Sequence, residues 1–449
     1  MFQKIFKFFT PDVLIPPETD KSIIDKNYSK YRWSVFLSTT IGYGIYYVCR
    51  LSINVIKKPI IDEGLLTETQ LGIIGSALFF SYAAGKLVNG VLSDRTNVRR
   101  FMATGLFVSA IVNLILGSQS LFIVFIILWG INGWFQSIGS ITCVVGLVRW
   151  FSKKERGIYY GFGSVGLNLG EAITFIATSF IVTIAGWRFG FLSSGIVGLA
   201  GAFLILRFFH DSPGSKGLMP IAEYKNDYEE STLSKNSISS LQLGLLKNPA
   251  IWILALSSLF IYIVRYSINS WGILFLQEQK GYSALKASSI ISVSSICGIA
   301  GTISSGLISD KLFKGRRNIP ALIFGVINSI SIAVFLLNSN RLPWIDIASM
   351  AFFGLSIGVL VCYLGGLMAI DISPKEVSGS VMGLIGIASY IGAGIQDILS
   401  GYLMGQNKVI VNGIVTYDFT KVILFWIGSS IMSFLLVLLV WNAKAYKKD

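Results

Sequence analysis

Twelve stretches of mainly hydrophobic residues alternate with short polar segments along the 449-residue chain. They lie at about 33–57, 70–93, 101–117, 120–148, 157–185, 189–209, 249–277, 283–309, 319–338, 343–370, 376–404 and 421–443. Each is near or above the roughly 20 residues that an α-helix needs to cross the hydrocarbon core of a bilayer. The pattern predicts an all-α membrane protein with twelve transmembrane helices.

The longest polar segment divides these stretches into two sets of six, and short motifs recur in both sets. Tyr-x-x-Arg-x-Ser-Ile-Asn occurs at 47–54 and 262–269, and Gly-x-x-Ser-Asp occurs at 90–94 and 306–310. Two parallel repeats of six helices, related by a pseudo-two-fold axis with a site between them, describe the major facilitator fold. We therefore predict a cytoplasmic N-terminal segment (1–32), two six-helix bundles (33–209 and 249–443), a cytoplasmic central loop (210–248) and a cytoplasmic tail (444–449).

The distribution of charge sets the expected orientation. Only 13% of the residues are charged, against about 25% in a typical soluble domain. Of the 37 Lys and Arg, 26 fall on one side of the predicted membrane, the side that contains both termini and the loops 94–100, 149–156, 207–248, 311–317 and 371–375. The positive-inside rule predicts that this side is cytoplasmic, in a multi-pass membrane protein; the family resemblance described below implies the bacterial inner membrane. The net charge of +14 thus reflects topology, and no nucleic-acid partner is expected.

Histidine and cysteine usage argues against metal and disulfide chemistry. His210 is the only histidine, and the four cysteines all fall within hydrophobic stretches. No metal site, disulfide framework or cofactor is expected. The absence of a recognisable nucleophile–base pair also argues against an enzyme.

Arg50 and Arg265 occupy matching places in the two repeats. A buried arginine costs roughly 2.5–3.5 kcal/mol on insertion scales, so two at equivalent positions point to a function. A guanidinium is permanently charged and binds phosphate or carboxylate through two donors. We expect the pair to hold an anion between the bundles, and the alternative is that each arginine pairs with a buried acid.

Lys86 is a third cation within the hydrophobic stretches. With the arginines it would favour a dianionic phosphoryl group, whereas snorkelling towards the membrane surface is the alternative. Phenol hydroxyls donate to phosphate without adding charge, and Tyr43, Tyr47, Tyr82 and Tyr262 lie near these cations in the sequence. Aromatic packing competes with this interpretation of the tyrosines.

Polar residues at membrane depth include Asn168, Glu171 and Asp397. Interhelical hydrogen bonding is their ordinary role. The two carboxylates could instead bind sugar hydroxyls, and Asp397 could pair with Lys86 or an arginine while the site is empty.

The repeated Gly-x-x-Ser-Asp motifs lead into basic loops. We predict that charged residues of these loops form gates on the cytoplasmic side: Asp94, Arg95, Arg99, Arg100, Asp310, Lys311 and Arg316. Positive-inside topology alone accounts for the basic residues but not for the repeated aspartate.

The chain resembles the organophosphate:phosphate antiporter family of the major facilitator superfamily. The matching elements are Tyr46 to Arg50, Phe80 to Tyr82 with Lys86, Gly90 to Arg100, Trp150-Phe151 with Glu155-Arg156-Gly157, Gly186-Trp187-Arg188, the run 211–228, and Tyr262 to Arg265. The resemblance implies that Arg50 and Arg265 bind phosphate, that Lys86 lines the cavity, and that Tyr43, Tyr47, Tyr82, Tyr262 and Tyr390 surround it. It also implies a monomer.

The resemblance further implies exchange of inorganic phosphate for an organic phosphate by rocker-switch alternating access. Glycerol-3-phosphate members carry a histidine before the asparagine of the fifth helix, where this chain has Leu167 before Asn168. With the carboxylates Glu171 and Asp397, this difference favours a hexose phosphate, glucose 6-phosphate first. The alternatives are glycerol 3-phosphate or phosphoglycerate as the substrate, or a sugar-phosphate sensor with little transport.

Overall fold

The computed structural model describes residues 7–16, 18–227, 235–338, 342–374, 377–411, 414–441 and 443. Within these ranges, twelve long α-helices dominate the chain. They are α1 (Lys21–Asp62), α2 (Glu68–Arg95), α3 (Val98–Leu116), α4 (Phe122–Trp150), α5 (Lys153–Ala185), α6 (Trp187–Phe208), α7 (Pro249–Lys280), α8 (Ala284–Leu307), α9 (Asn318–Leu337), α10 (Pro343–Cys362), α11 (Ser378–Gln406) and α12 (Thr420–Leu439). The predicted tail 444–449 and part of the predicted central loop, 228–234, lie outside the described residues.

Eleven of these helices, all except α1, are long and apolar enough to cross a membrane. The hydrophobic part of α1 is diluted by Arg50, by Lys57 and by a run of tyrosines. The twelve-helix membrane fold that the sequence predicts is confirmed, and the chain is a multi-pass membrane protein.

The predicted start of the first helix is wrong by a dozen residues. Asp20 caps α1 by accepting hydrogen bonds from the backbone N–H groups of Ser22 and Ile23, so the helix begins at Lys21 and not near 33. Tyr28, in this early part, stacks on Tyr224 of the central segment at a centroid distance of 4.0 Å. These turns lie at the protein surface, where hydrophobicity does not detect a helix.

Several shorter elements connect the long helices. The segment after α6 contains a 3₁₀ turn at Gly214–Lys216 and helices at Ile221–Tyr224 and Lys235–Lys247. Two strands, β1 (Lys408–Val411) and β2 (Ile414–Tyr417), form an antiparallel hairpin between α11 and α12, with Lys408 opposite Tyr417. Neither the hairpin nor the helix at Lys235–Lys247 was predicted from the sequence.

The long helices form two bundles. Helices α1–α6 pack mainly on one another, as do α7–α12. The strongest contacts between the bundles are α2 with α11 and α5 with α8. A two-fold axis that relates the first six helices to the second six exchanges these two pairs, as expected for parallel six-helix repeats.

Candidate functional site

Arg50 lies at the centre of the molecule, on the face of α1 that meets α7. Its side chain is buried, and one terminal nitrogen donates a hydrogen bond of 3.0 Å to the phenol oxygen of Tyr266. The guanidinium lies 4.8–5.5 Å from the centroids of five rings, those of Tyr47, Phe79, Tyr82, Tyr266 and Tyr390. Its Nε has no hydrogen-bond partner among the described residues. Aromatic faces stabilise the charge and leave donors free for an anion.

Arg265 approaches the same place from α7. Its guanidinium lies 5.7 Å from the centroid of the Tyr266 ring, and Arg50 lies 5.5 Å from the same centroid. The two arginines of the repeated motif, which are 215 positions apart in the sequence, therefore share one tyrosine as a neighbour. Since Arg50 belongs to the first bundle and Arg265 to the second, an anion between them would contact both bundles.

Glu171 of α5 is the acidic partner of Arg265. A terminal nitrogen of Arg265 lies 3.7 Å from Oε2 of Glu171. Oε1 accepts hydrogen bonds from the Asn269 amide at 3.0 Å and the Ser295 hydroxyl at 2.6 Å. The structure thus places Glu171 in the site as a charge partner of an arginine, which is one of the two alternatives left open by the sequence.

Lys86 completes the set of central cations. Its Nζ lies 5.6 Å from the ring centroid of Tyr82 and 5.1 Å from that of Tyr390. It points towards α11 of the opposite bundle, since a Cβ atom on Gly386 would lie 3.8 Å from Nζ. This position favours the cavity over snorkelling to the membrane surface.

The tyrosines chosen from the sequence come together in one cluster. The ring centroids of Tyr82 and Tyr390 are 4.2 Å apart, and Tyr262 lies 5.7 Å from Tyr390. Tyr43 and Tyr47 form an edge-to-face pair at 5.6 Å. They lie about two turns and about one turn before Arg50 on α1, respectively. The cluster lines the approach to Arg50 with phenol groups.

Asn168 and Asp397 differ in their relation to this cluster. The Asn168 amide donates to the carbonyl of Ser164, 3.0 Å away, and its oxygen faces Gly298 of the opposite bundle. Asp397 accepts a hydrogen bond of 2.8 Å from the Trp271 indole and lies 3.9 Å from Lys57. Asp397 thus pairs with Lys57 and not with Lys86 or an arginine, which was one alternative that the sequence left open, because Asp397 lies further along α11, where Lys57 approaches it.

Helices α2 and α11 pack closely on one side of the cluster and loosely on the other. We call the membrane side of the basic loops 94–100 and 311–317 the basic face, and the side of the β1–β2 hairpin the opposite face. At the opposite face, a Cβ atom on Gly72 of α2 would lie 2.4 Å from the Asp397 carbonyl of α11, and one on Gly401 would lie 2.4 Å from the Glu68 carbonyl. Towards the basic face, Gly90 of α2 and Gly383 of α11 have no atom within 4 Å of such a position.

Polar contacts reinforce the closed side. Lys408 and Tyr417 of the hairpin contact the Glu68 carboxylate at 3.2 and 2.5 Å, and Lys58 at the end of α1 pairs with Glu278 of α7. Ser179 of α5 and Ser288 of α8 are hydrogen-bonded. The bundles are thus in close contact at the opposite face, and α2 and α11 separate towards the basic face, which is the open end.

The predicted gate residues lie at this open end. Asp94, Arg95, Asp310, Lys311 and Arg316 are exposed. Arg99 and Arg100 pair with Asp12, at 3.5 and 2.9 Å, within the first half of the chain. Among the described residues, none of these seven forms an ion pair across the bundles, so their gating role stays a prediction.

Two residues of the central region were not predicted from the sequence. Tyr266 contacts both arginines, and its position directly after Arg265 was the available signal. Lys57 lies at the last position of the predicted stretch 33–57, yet its side chain is only 1% exposed. Its burial follows from the continuation of α1 to Asp62.

Two helical bundles with cations buried at their interface are typical of a membrane transporter. A model of the Major Facilitator Superfamily matches residues 39–396, and the chain belongs to this superfamily. The prediction of a transporter, rather than an enzyme, is thereby confirmed.

Curated relatives extend over most of the chain. A probable hexose phosphate transport protein of Chlamydia pneumoniae is 34% identical, over 89% of this chain and 90% of that protein. A glycerol-3-phosphate transporter of Bacillus subtilis (strain 168) is 33% identical, over 94% of this chain and 95% of its own. A membrane sensor protein, UhpC, of Escherichia coli (strain K12) is 31% identical, over 85% and 88%. These relatives confirm the family resemblance predicted from the motifs.

A solved structure agrees with the fold. The inward-facing, unoccupied form of a bacterial homologue of the human lysosomal transporter Spinster has a TM-score of 0.70, with 17% identity, over 91% of this chain and 95% of that one. At this level of identity, the likeness concerns the fold alone.

Proposed function

We propose that this protein is an antiporter that exchanges inorganic phosphate for a sugar phosphate. Hexose phosphates, with glucose 6-phosphate first, are the proposed organic substrates, in keeping with the name of the Chlamydia pneumoniae relative. The observation that carries the proposal is the approach of Arg50 and Arg265, from opposite bundles, to the same tyrosine ring.

A phosphoryl group suits this arrangement because it offers several acceptor oxygens and two negative charges. Among the described residues, the Nε of Arg50 has no hydrogen-bond partner, and the acid nearest to Arg265 is Glu171, at 3.7 Å. Lys86 supplies a further charge beside Tyr390. A bound phosphate would bridge the bundles through charge-assisted hydrogen bonds, which are stronger than neutral ones.

The same cations explain why exchange would be coupled. In the empty site they repel one another, so bringing the bundles together around them is unfavourable. A bound anion cancels this repulsion and lowers the barrier to the rocking of one bundle against the other. Return without an anion would be slow, and transport in one direction would require phosphate in the other.

The conformation fits the loading of internal phosphate. The site opens to the basic face, which the positive-inside rule assigns to the cytoplasm. We propose that this protein acts as a monomer in the bacterial inner membrane, with both termini cytoplasmic. The gate residues at 94–100 and 310–316 would meet across the bundles when this face closes.

The test is uptake of labelled glucose 6-phosphate into proteoliposomes. We expect rapid uptake when the vesicles contain inorganic phosphate and at least about tenfold slower uptake when they contain sulfate, because the empty site reorients poorly. Equal uptake under both conditions would contradict antiport. Phosphate-dependent uptake of glycerol 3-phosphate or phosphoglycerate, but not of glucose 6-phosphate, would reassign the organic substrate.

A sensor is the second candidate, because the Escherichia coli relative bears that name. A sensor would keep the arginine site but carry little flux. Purified protein that binds glucose 6-phosphate in detergent, yet shows no exchange after reconstitution, would favour this function over transport.

A further inference from the structure

Glu171 is the one acidic side chain, among the described residues, that contacts the central cations. It is 3% exposed and lies on α5 of the first bundle. Both groups that hold its Oε1 belong to the second bundle, Asn269 on α7 and Ser295 on α8. Oε2 receives no hydrogen bond from the described residues and faces Arg265 at 3.7 Å.

These contacts are those of a carboxylate. An amide nitrogen only donates, the serine hydroxyl donates here, and a guanidinium has no acceptor. Every described polar group around it therefore donates to Glu171, which stands in the site as the counter-charge of Arg265.

The charge of the empty site follows from its residues. Arg50, Lys86 and Arg265 contribute three positive charges, and Glu171 removes one, which leaves two. Lys57 and Asp397 pair with each other and cancel. A phosphate monoester with two charges on its phosphoryl group and none elsewhere neutralises such a site completely.

We propose that Glu171 is a specificity-determining residue that rejects organophosphates that carry a carboxylate in addition to the phosphoryl group. This inference rests on the proposed function and narrows its substrate class to phosphate esters with an uncharged, hydroxyl-rich remainder. A carboxylate on the substrate adds a third negative charge, whereas the empty site has a net charge of only two positive units. In a buried site, such a like charge is poorly screened.

The matched pair sorbitol 6-phosphate and 6-phosphogluconate tests this directly, because both are linear and differ only by a terminal hydroxymethyl or carboxylate. We measure how each inhibits uptake of labelled inorganic phosphate into phosphate-loaded proteoliposomes. In the wild type, we expect 6-phosphogluconate to be at least about tenfold the weaker inhibitor. If the two inhibit equally in the wild type, Glu171 does not reject acids.

Three variants separate charge from shape. Glu171→Gln keeps the size and loses the charge, so the two compounds should inhibit nearly equally, whatever rate of phosphate exchange remains. Glu171→Asp keeps the charge and changes the contacts, so discrimination should persist. Glu171→Ala provides a second neutral variant if the glutamine variant does not fold. Unchanged discrimination in an exchanging neutral variant overturns the proposal.

Failure of the proposed function gives a different result. If the wild type shows no phosphate exchange, antiport is wrong, and the same pair is then compared by calorimetric binding to the detergent-solubilised protein. Tighter binding of sorbitol 6-phosphate that disappears in Glu171→Gln supports the role of Glu171 even in a sensor. Equal binding of the pair to the wild type rejects it.

Discussion

Lys57 and Asp397 place opposite charges inside the membrane, on the side of the arginine cluster that faces the opposite face. Their side chains are 1% and 3% exposed, and their charged atoms are 3.9 Å apart. Lys57 Nζ has no hydrogen-bond partner among the described residues and lies 3.6 Å from the centroid of the Trp271 ring. Asp397 and the indole face thus stabilise the ammonium group together, and both belong to the second bundle.

Removing one partner should therefore be costly. We expect Asp397→Asn to lower the free energy of unfolding by about 3–5 kcal/mol, because a buried ammonium group is left without its counter-charge. Thermal unfolding in detergent measures the effect. Asp62→Asn is the matched control, since Asp62 pairs with Lys58 at the surface and its side chain is 56% exposed; it should change stability by less than about 1 kcal/mol.

The double variant Lys57→Met with Asp397→Leu separates the ion pair from packing. It should recover much of the lost stability, because neither charge then remains buried without a partner. An Asp397→Asn protein as stable as the wild type would show that Lys57 is not charged in this position.

At the residue scale, buried charged residues could be predicted from the sequence, whereas their contact partners could not. Arg50 and Arg265 could be found because cations are rare in hydrophobic stretches and these two recur in a motif. Glu171 was found as a buried acid, but its pairing with Arg265 depends on how α5 meets α7 across the bundles. Tyr266 was missed because tyrosines are common here. Its position directly after Arg265 does not say that its ring also lies next to Arg50.

At the scale of helices, α2 and α11 pack closely at the opposite face and separate towards the basic face. Gly72 touches the Asp397 backbone at the opposite face, whereas Gly90, five turns further along α2, has free space beside it. The same helix therefore offers a tightly packed glycine and an unpacked one.

A methyl group should have opposite consequences at these two glycines. In Gly72→Ala, the new Cβ would lie 2.4 Å from a backbone oxygen of α11, so the helices must separate. We expect a loss of about 1–3 kcal/mol in stability, measured by thermal unfolding. Gly90→Ala should leave stability unchanged or raise it by up to about 1 kcal/mol, because alanine favours the helix. Equal effects at both positions would contradict the described packing of α2 on α11.

Helix positions were largely predictable because spanning segments must be hydrophobic over a fixed length. Apart from the first helix and the end of α10, the predicted ends lie within four residues of the structural ones. The start of α1 was missed because its early turns are polar and depend on the Asp20 cap. The hairpin at Lys408–Tyr417 was missed because its contacts with Glu68 come from α2, far away in the sequence.

At the scale of the whole molecule, the pseudo-two-fold arrangement puts equivalent arginines on facing helices of the two bundles, beside one tyrosine ring. Parallel repeats make the two bundles similar in fold. Under the proposed function, the two arginines would let both bundles hold the same phosphoryl group. The division into two repeats was predictable from the recurring motifs, whereas the direction of opening required the helix contacts.

The most direct test of this account is exchange of labelled inorganic phosphate in phosphate-loaded proteoliposomes by Arg50→Lys, Arg265→Lys and Arg188→Lys. Lysine keeps the charge but cannot bind phosphate through two donors, so each central variant should lose exchange by at least about tenfold. Arg188 donates to Ser120 outside the site, at 3.0 Å, and its variant should exchange like the wild type. Undiminished exchange by both central variants would contradict a phosphoryl group shared between Arg50 and Arg265.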